Sequence, residues 1–173
     1  MDITLDIIEI NDADKIARWK SDPELANLLM SNFSMISLNE AKEWIVKNTN
    51  DKNQRLNGVY KYDNLSKTLI GITRLMFIDF ESGVAEFGTY IGDIENQGKG
   101  YGKLALEMTI NQAFEELDLR KIFLRVNATN TGAFNLYKKM NFEIEGVLKK
   151  HFLNNKNEFE DIIYMSIFKV EEK

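Results

Sequence analysis

A glycine-rich stretch over residues 93–103 carries residue types that can bind a phosphate. It reads Asp-Ile-Glu-Asn-Gln-Gly-Lys-Gly-Tyr-Gly-Lys, with a strand predicted before it at 84–91 and apolar residues at helical spacing after it. A loop between such elements presents free backbone N–H groups at a helix N-terminus, where the donors and the helix dipole attract negative charge. Glycine is needed because a Cβ would hold a phosphate away from the main chain. The stretch therefore predicts a pyrophosphate cradle.

Two familiar phosphate loops fit this stretch poorly. A Walker loop is excluded, because Asp93 stands where its first glycine would be and Gly100 stands where its Ser or Thr would be. A dinucleotide fingerprint is matched by Gly100, Gly102 and Ala105. That fingerprint also expects an acidic residue after the next strand to hold the ribose, and the next predicted strand is followed by Asn127 instead.

A third pattern consists of Gln97, two spacers, Gly100, one spacer and Gly102. It resembles the acetyl-CoA-binding motif of the GNAT superfamily of N-acetyltransferases, in which Gln or Arg, two spacers, Gly, a spacer and Gly or Ala wrap the CoA pyrophosphate. On these residues alone, a helix start with capping glycines explains the stretch about as well. The choice between the two depends on a second motif.

That second motif follows the next predicted strand. Residues 130–142 read Asn-Thr-Gly-Ala-Phe-Asn-Leu-Tyr-Lys-Lys-Met-Asn-Phe, which resembles the GNAT pattern Asn-x-x-Ala-x-x-Leu-Tyr-x-x-x-Gly-Phe. The sequence departs from the pattern at Asn141, which replaces the usual glycine before Phe142. Asn is the non-glycine residue that best tolerates a left-handed helix terminator, so a helix end is still expected there. The resemblance to the GNAT superfamily extends from about Leu5 to Phe168.

The resemblance implies a set of contacts to acetyl-CoA. In the family, backbone groups near the end of the fourth strand pair with the pantetheine amides, which points to Tyr90 and Ile91. Asn130 is expected either to cap the following helix, to contact the cofactor, or to do both. The residues expected to hold acetyl-CoA are Tyr90, Ile91, Gln97, Gly98, Lys99, Gly100, Tyr101, Gly102, Lys103 and Asn130.

Tyr137 and Glu86 are the predicted catalytic residues. Tyr137 matches the family's tyrosine that protonates the departing thiolate, and a phenol stays protonated at rest while it can donate to a thiolate. Glu86 matches an Ala-Glu-Phe-Gly pattern seen in many members and would act as the base if partly desolvated. Each has a structural alternative, a core aromatic for Tyr137 and a solvated or ion-paired glutamate for Glu86. The implied reaction is direct acetyl transfer to a primary amine, without an acyl-enzyme.

The sequence leaves the acceptor amine open. The chain is most similar to the GNAT branch of ribosomal-protein N-terminal, spermidine and amino-sugar acetyltransferases. A small-molecule amine is favoured over a protein N-terminus, since nothing in the sequence indicates a peptide groove, and a non-catalytic CoA-binding module is a further alternative. Trp19 and Phe33 are the acceptor-site candidates, although their pattern is equally typical of core residues.

Each small-molecule acceptor would need its own set of partners. A polyamine needs spaced carboxylates, while an amino-sugar nucleotide needs phosphate donors and aromatic faces. The carboxylates available for a polyamine are Glu40, Glu43, Asp79, Glu81 and Glu86. For an amino-sugar nucleotide, the corresponding side chains are Arg18, Trp19, Phe33 and Arg74.

The pattern of predicted elements indicates a single N-acetyltransferase domain over residues 1–173. Strands are predicted at 3–10, 55–62, 68–78, 84–91, 121–126, 143–150 and 161–168. They alternate with helices, which favours an α/β fold. The resemblance implies a GNAT-like mixed, mostly antiparallel sheet of about seven strands, with helices on both faces and a V-shaped splay between strands four and five.

Composition excludes several other classes. The chain has no cysteine, so disulfides, Cys-ligated zinc and a thiol nucleophile are absent, and no metal site is expected. A net charge of −5 with scattered basic residues argues against a nucleic-acid partner. No membrane-length apolar run or export signal is recognised, which predicts a cytoplasmic protein without a membrane partner. The oligomeric state stays open, with a homodimer among the alternatives.

Overall fold

The computed structural model describes residues 3–31, 34–63 and 66–170. Seven strands form one sheet in the order β1-β2-β3-β4-β5-β7-β6. The strands are β1 (Ile3–Asp6), β2 (Arg55–Asp63), β3 (Ser66–Asp79), β4 (Val84–Ile91), β5 (Lys121–Asn127), β6 (Glu143–Leu153) and β7 (Phe159–Phe168). The α-helices are α1 (Ala13–Lys20), α2 (Pro23–Leu28), α3 (Leu38–Thr49), α4 (Tyr101–Asn111) and α5 (Thr131–Lys139).

The sheet opens between β4 and β5, as predicted. These two strands are parallel, whereas every other neighbouring pair is antiparallel. Only three residue pairs join them, Val84↔Lys121, Ala85↔Ile122 and Glu86↔Phe123. Both strands then continue without pairing to each other, β4 to Ile91 and β5 to Asn127. The V-shaped splay between strands four and five is therefore confirmed.

Helices cover both faces of the sheet, which confirms the predicted fold class. On one face, residues of α1 and α3 pack with Leu56 of β2 and Ile72 of β3. On the other face, residues of α4 and α5 pack with Phe87 of β4 and Leu124 of β5. Side chains alternate along a strand, so neighbouring residues of β4 face different helices.

The ends of α5 follow the predicted capping residues. Asn130 caps the helix, since its Oδ1 accepts from the backbone N–H of Ala133 at 3.1 Å. Asn141 follows the helix at φ +64°, the left-handed conformation that ends a helix. The N–H of Phe142 then donates to the carbonyl of Tyr137 at 3.0 Å. The replacement of glycine by Asn141 therefore preserves the helix end, as predicted.

β3, β6 and β7 are each up to three residues longer than predicted, and two other elements differ more. β1 ends at Asp6 instead of residue 10, because its pairing with β2 stops there and Ile8 turns into the core at 3% exposure. The helix after the glycine-rich loop leaves α geometry after Asn111 and continues as a π-helical turn, Gln112–Glu116. In that turn the Gln112 side chain accepts from Asn57 Nδ2 at 2.8 Å. Apolar spacing alone does not distinguish such a turn from an α-helix.

Candidate active site

The glycine-rich loop joins β4 to α4, where the motif predicts it. A 3₁₀ turn (Ile94–Asn96) follows β4, and Gln97 Nε2 donates to the carbonyl of Ile91 at 2.9 Å, which ties the loop to the strand end. Gly98 and Gly100 have φ values of +71° and +85°. Side chains disfavour this left-handed region, so the backbone needs glycine at both positions. Gly100 is the N-cap of α4.

The same loop leaves room and donors for an anion. A Cβ built on Gly98 or on Gly102 meets no atom within 4 Å. Within the described chain, the backbone N–H groups of residues 98–100 donate to no acceptor, and the first N–H groups of a helix have no partner inside it. Lys99 and Lys103 are exposed beside these donors. The loop therefore fits a pyrophosphate such as that of CoA.

The splay exposes one edge of β4. Beyond Glu86, β4 has no partner strand on the side of β5, while its other edge stays paired with β3 as far as Gly71↔Ile91. The open edge includes Tyr90 and Ile91, which are predicted to bind the pantetheine arm. An extended amide chain can add to such an edge as a further strand does. The carbonyl of Ile91 is already used by Gln97, so it has less capacity for a ligand.

Tyr137 lies in α5 next to the start of the splay. Its ring packs edge-on against Phe87, the first β4 residue beyond the last β4–β5 pair, with 6.4 Å between centroids. The side chain is 7% exposed, and burial raises the pKa of its phenol to about 12. The hydroxyl makes no hydrogen bond within the described chain, and its oxygen keeps some exposure to solvent. A phenol that is protonated at neutral pH and free to donate has the properties of a general acid.

Glu86 lies on the opposite face of β4 from Phe87. Its carboxylate accepts from Arg125 Nε at 2.7 Å, and the two side chains are 9% and 41% exposed. The expected desolvated carboxylate is thus an ion-paired one, in agreement with the structural alternative. The sequence did not predict Arg125 as the partner of Glu86, because the two side chains meet only through the pairing of β4 with β5. The role of Glu86 as a base stays a prediction.

Trp19 is 3% exposed and belongs to the core between α1 and the sheet. Its indole Nε1 donates to Asp93 Oδ1 at 3.1 Å, and its ring meets Tyr90 edge-on at 5.8 Å. A Cβ on Gly92 would fall 2.2 Å from the indole, so Trp19 lies directly against the start of the loop. These contacts support the loop and leave little ring surface for an acceptor. The other acceptor-site candidate, Phe33, lies outside the described residues.

Three of the carboxylates considered for a polyamine already accept hydrogen bonds or ion pairs. Glu40 closes the capping box of α3, where its Oε2 accepts from the Ser37 N–H at 2.7 Å. Asp79 accepts backbone N–H groups within the β3–β4 turn. Glu86 is paired with Arg125. Each of these carboxylates already has donors from its own surroundings.

Two cations flank the indole of Trp44 on the face covered by α1 and α3. Lys20 Nζ lies 4.5 Å from the ring centroid and Arg74 Cζ lies 5.5 Å from it. The sequence suggested Arg74 only as one of several donors for an amino-sugar nucleotide, and it did not indicate Lys20. No motif contains these three residues, so sequence patterns could not have grouped them.

Comparison with known proteins decides the family. The profile of the acetyltransferase (GNAT) domain matches residues 2–143. The chain belongs to this family. It is an acetyl-CoA-dependent N-acetyltransferase, which confirms the resemblance seen in the two motifs. In the described ranges of this acetyltransferase, no helix is long and apolar enough to cross a membrane, and no three His, Cys, Asp or Glu side chains gather as metal ligands.

Several relatives of this acetyltransferase have assigned names. Spermidine N(1)-acetyltransferase of Vibrio cholerae is 31% identical over 131 residues, which cover 76% of this chain and 73% of that protein. The putative ribosomal N-acetyltransferase YdaF of Bacillus subtilis is 26% identical over 98% of this chain and 92% of its own. The crystal structure of spermidine N-acetyltransferase from Vibrio cholerae in complex with CoA and spermine matches with a TM-score of 0.88. It is 28% identical and covers 96% of this chain and 95% of that chain.

Proposed function

We propose that this protein transfers the acetyl group of acetyl-CoA directly to a primary amine of a small molecule, of the polyamine or amino-sugar type. The observation that carries the proposal is the position of Tyr137, a protonated phenol packed on Phe87 where β4 and β5 separate. The glycine-rich loop lies at the far end of the same strand and supplies anion donors. The proposed compartment is the cytoplasm, where acetyl-CoA is available.

In the proposed reaction, the amine nitrogen attacks the thioester carbonyl carbon and the carbon–sulfur bond breaks. The departing thiolate takes the phenolic proton of Tyr137, and solvent returns a proton to the phenolate. The nitrogen gives up its extra proton to a base, for which Glu86 and a water relay are the candidates. A base is also useful before the attack, because the acceptor is an ammonium at pH 7 and its deprotonation to the nucleophilic amine costs about 4–5 kcal/mol. The products are an N-acetylated amine and free CoA thiol.

A small acceptor agrees with a contact that partly closes the acceptor face. The turn between β6 and β7 reaches α2, where the N–H of Asn155 donates to Asn27 Oδ1 at 3.2 Å. Leu25 of α2 belongs to the same cluster as Tyr90, which lies on the Glu86 face of β4, so the contact ties the β6–β7 turn to an element of that face. An extended peptide would have to pass it. The relative named as a putative ribosomal N-acetyltransferase nevertheless makes a protein N-terminus the second candidate acceptor.

The proposal is tested by following free thiol release from acetyl-CoA with a panel of amines. The panel contains spermidine, amino sugars and their phosphates, amino acids, and a ribosomal-protein N-terminal peptide. Turnover with a small amine is expected. A high kcat/KM on the peptide with none on the small amines would contradict the proposal. Binding of acetyl-CoA without thiol release from any amine would instead indicate a non-catalytic CoA-binding module.

A further inference from the structure

Lys20 and Arg74 are half-buried cations beside Trp44 that lack a carboxylate partner. Among the residues that the structure describes, no Asp or Glu oxygen comes within 4.0 Å of either charged group. A charge withdrawn from water loses hydration, and a contact with an aromatic ring offsets only part of that loss. This pair therefore needs an explanation.

The hydrogen bonds of Arg74 leave part of its guanidinium unused. Its Nη2 donates to two neutral amides, Asn48 Oδ1 at 3.0 Å and Gln54 Oε1 at 2.7 Å. Its Nε is fully buried and has no partner. All three side chains line a cavity of about 250 Å³ that also borders Met76. The amides hold the guanidinium in place without neutralising its charge.

The two cations also disfavour each other. Burial, and after it the charge of Arg74, lowers the pKa of Lys20 below its ordinary value. Burial likewise lowers the pKa of Arg74, and the nearby Tyr90, Asp51 and Glu86 oppose that shift in part. Like charges at short range destabilise a fold unless a counter-ion lies close to both. An anion beside Trp44 would be such a counter-ion.

Carboxylates near this position are already engaged or exposed. Glu86 is paired with Arg125, and Asp93 accepts from both Lys15 and Trp19. Asp51 borders the same cavity as Arg74, but it is exposed, so solvent screens its charge. Within the described residues, none of these carboxylates therefore pairs directly with Lys20 or Arg74.

The cations lie within reach of the splay. Arg74 is paired in register with Gly88, the second β4 residue beyond the last β4–β5 pair. Directly opposite residues of a sheet share a face, so Arg74 lies on the side of Glu86 and not on the side of Tyr137. Adjacent strands are about 5 Å apart, so a group bound by Arg74 lies on the order of 5–10 Å from the splay. A small acceptor is long enough to place its amine at the splay while another of its groups contacts Arg74.

We propose that the acceptor amine carries a phosphate or carboxylate group, which Lys20 and Arg74 bind beside Trp44. The inference rests on the proposed function and selects among its acceptors. The Nη1 group of Arg74 makes no hydrogen bond within the described chain, so it can donate to a phosphate or carboxylate oxygen, and the ammonium of Lys20 adds a point charge. A polyamine carries only ammonium groups and would be repelled by both side chains. This chain would then differ in acceptor from its relatives named for spermidine.

The experiment compares matched amines in the thiol-release assay with saturating acetyl-CoA. Glucosamine is paired with glucosamine 6-phosphate and glucosamine 1-phosphate, and propylamine is paired with 2-aminoethyl phosphate and β-alanine. At least one anionic amine is expected to exceed its neutral partner in kcat/KM by about tenfold or more, the effect of one charge-assisted contact. A comparison of 2-aminoethyl phosphate with β-alanine shows whether a phosphate or a carboxylate is preferred. Spermidine is included as the polycationic acceptor.

Two variants and a control locate the effect. Arg74→Met and Lys20→Met are each expected to raise KM for the anionic amine and to leave KM for its neutral partner unchanged. Lys20 makes no side-chain hydrogen bond within the described chain, so Lys20→Met keeps the test valid if Arg74→Met fails to fold. Lys47→Met, on an exposed position of α3, is the matched control and is expected to change neither value.

Inorganic phosphate gives a second readout that does not depend on turnover. Phosphate titrated into CoA-saturated protein is expected to change Trp fluorescence, and Lys20→Met is expected to abolish the change. Higher kcat/KM for spermidine than for every anionic amine would overturn the inference and leave the proposed function intact. Equal responses to phosphate in wild type and Lys20→Met would also overturn it. Absence of thiol release with every amine would count against the proposed function itself.

Discussion

The indole of Trp19 donates to the carboxylate of Asp93 at 3.1 Å, which joins α1 to the start of the glycine-rich loop. Lys15, one helical turn earlier, pairs with the same carboxylate at 3.0 Å and also donates to the Leu69 carbonyl at 2.7 Å. Two side chains of α1 thus bind Asp93, and one of them, Lys15, also ties α1 to β3. The position of the glycine-rich loop therefore depends on side chains that do not belong to it.

Removing the charge of Asp93 is expected to weaken acetyl-CoA binding. Asp93→Asn leaves Lys15 half-buried without its carboxylate partner, which costs about 1–3 kcal/mol of folding free energy. The loosened loop start should lower the affinity for acetyl-CoA measured by calorimetry. Asp6→Asn, which breaks a more exposed pair with Lys67, is the control and is expected to leave affinity unchanged. Equal affinities for all three proteins would show that the contact does not position the loop.

Gly102→Val is expected to reduce acetyl-CoA affinity without loss of fold. A side chain at this position enters space that no protein atom occupies within 4 Å, where the pyrophosphate is proposed to lie. Gly100→Val is a less informative change, because φ is +85° there and the substitution adds backbone strain. Gly146→Val is the matched control, since Gly146 also has open space but lies on β6. Unchanged CoA affinity in folded Gly102→Val would contradict the cradle.

Tyr137→Phe is expected to lower kcat by about ten- to ten-thousand-fold, the range for loss of a general acid. KM for acetyl-CoA is expected to stay the same, because the lost hydroxyl makes no bond to the described chain. Melting temperature is the internal control, since the ring contacts with Phe87 and Phe142 are kept. A variant that turns over at the wild-type rate would make Tyr137 a purely structural residue.

The buried phenol also predicts a pH dependence of stability. Burial raises the folded-state pKa of Tyr137 from its ordinary value of 10.0 to about 12. Its stabilising contribution is therefore fully present below pH 10 and is lost as the pH rises toward 12. The free energy of unfolding of the wild type is expected to fall relative to Tyr137→Phe over this interval. Urea denaturation of both proteins from pH 8 to pH 11.5 measures the difference, and parallel curves would contradict the shift.

Glu86→Gln and Arg125→Met separate a catalytic base from a structural ion pair. If Glu86 is the base, Glu86→Gln lowers kcat by about a hundredfold or more, whereas Arg125→Met retains a carboxylate and most of the rate. If the ion pair alone matters, both variants lose stability and activity to a similar extent. We expect the first outcome. The pH profiles of kcat and the urea midpoints of the two variants decide between them.

Local sequence signals predicted the parts of the site that local structure determines. The glycines of the loop, the Asn130 cap and the Asn141 terminator each act within a few residues, and all are found where the sequence indicates. The family resemblance supplied the β4–β5 splay, which composition and periodicity do not encode. The motifs and the fold together placed Tyr137 beside the splay.

Contacts between distant segments could not be predicted in the same way. Glu86 and Arg125 are 39 residues apart, and Trp19 and Asp93 are 74 apart. Each pair depends on strand register and helix packing, which no short pattern specifies. For this reason the sequence left open whether Glu86 is ion-paired and did not name its partner, and it did not show that Trp19 supports the loop from the core. Lys20, Trp44 and Arg74 come from three different elements, so no sequence pattern grouped them.

The three-pair junction of β4 and β5 divides the backbone ladder of the sheet into two parts. β2 and β3 share nine register pairs and β5 and β7 share seven, whereas β4 and β5 share only three. The β4–β5 junction is therefore more weakly paired than either of these neighbours. Amide protons that face the gap have no strand to protect them, and hydrogen exchange through local opening starts where such protection is least. If the pantetheine arm adds to the open edge of β4 as expected, its amides supply the hydrogen bonds that β5 does not make there. The cosubstrate would then act as an eighth strand, and each catalytic cycle would remove and restore part of the sheet.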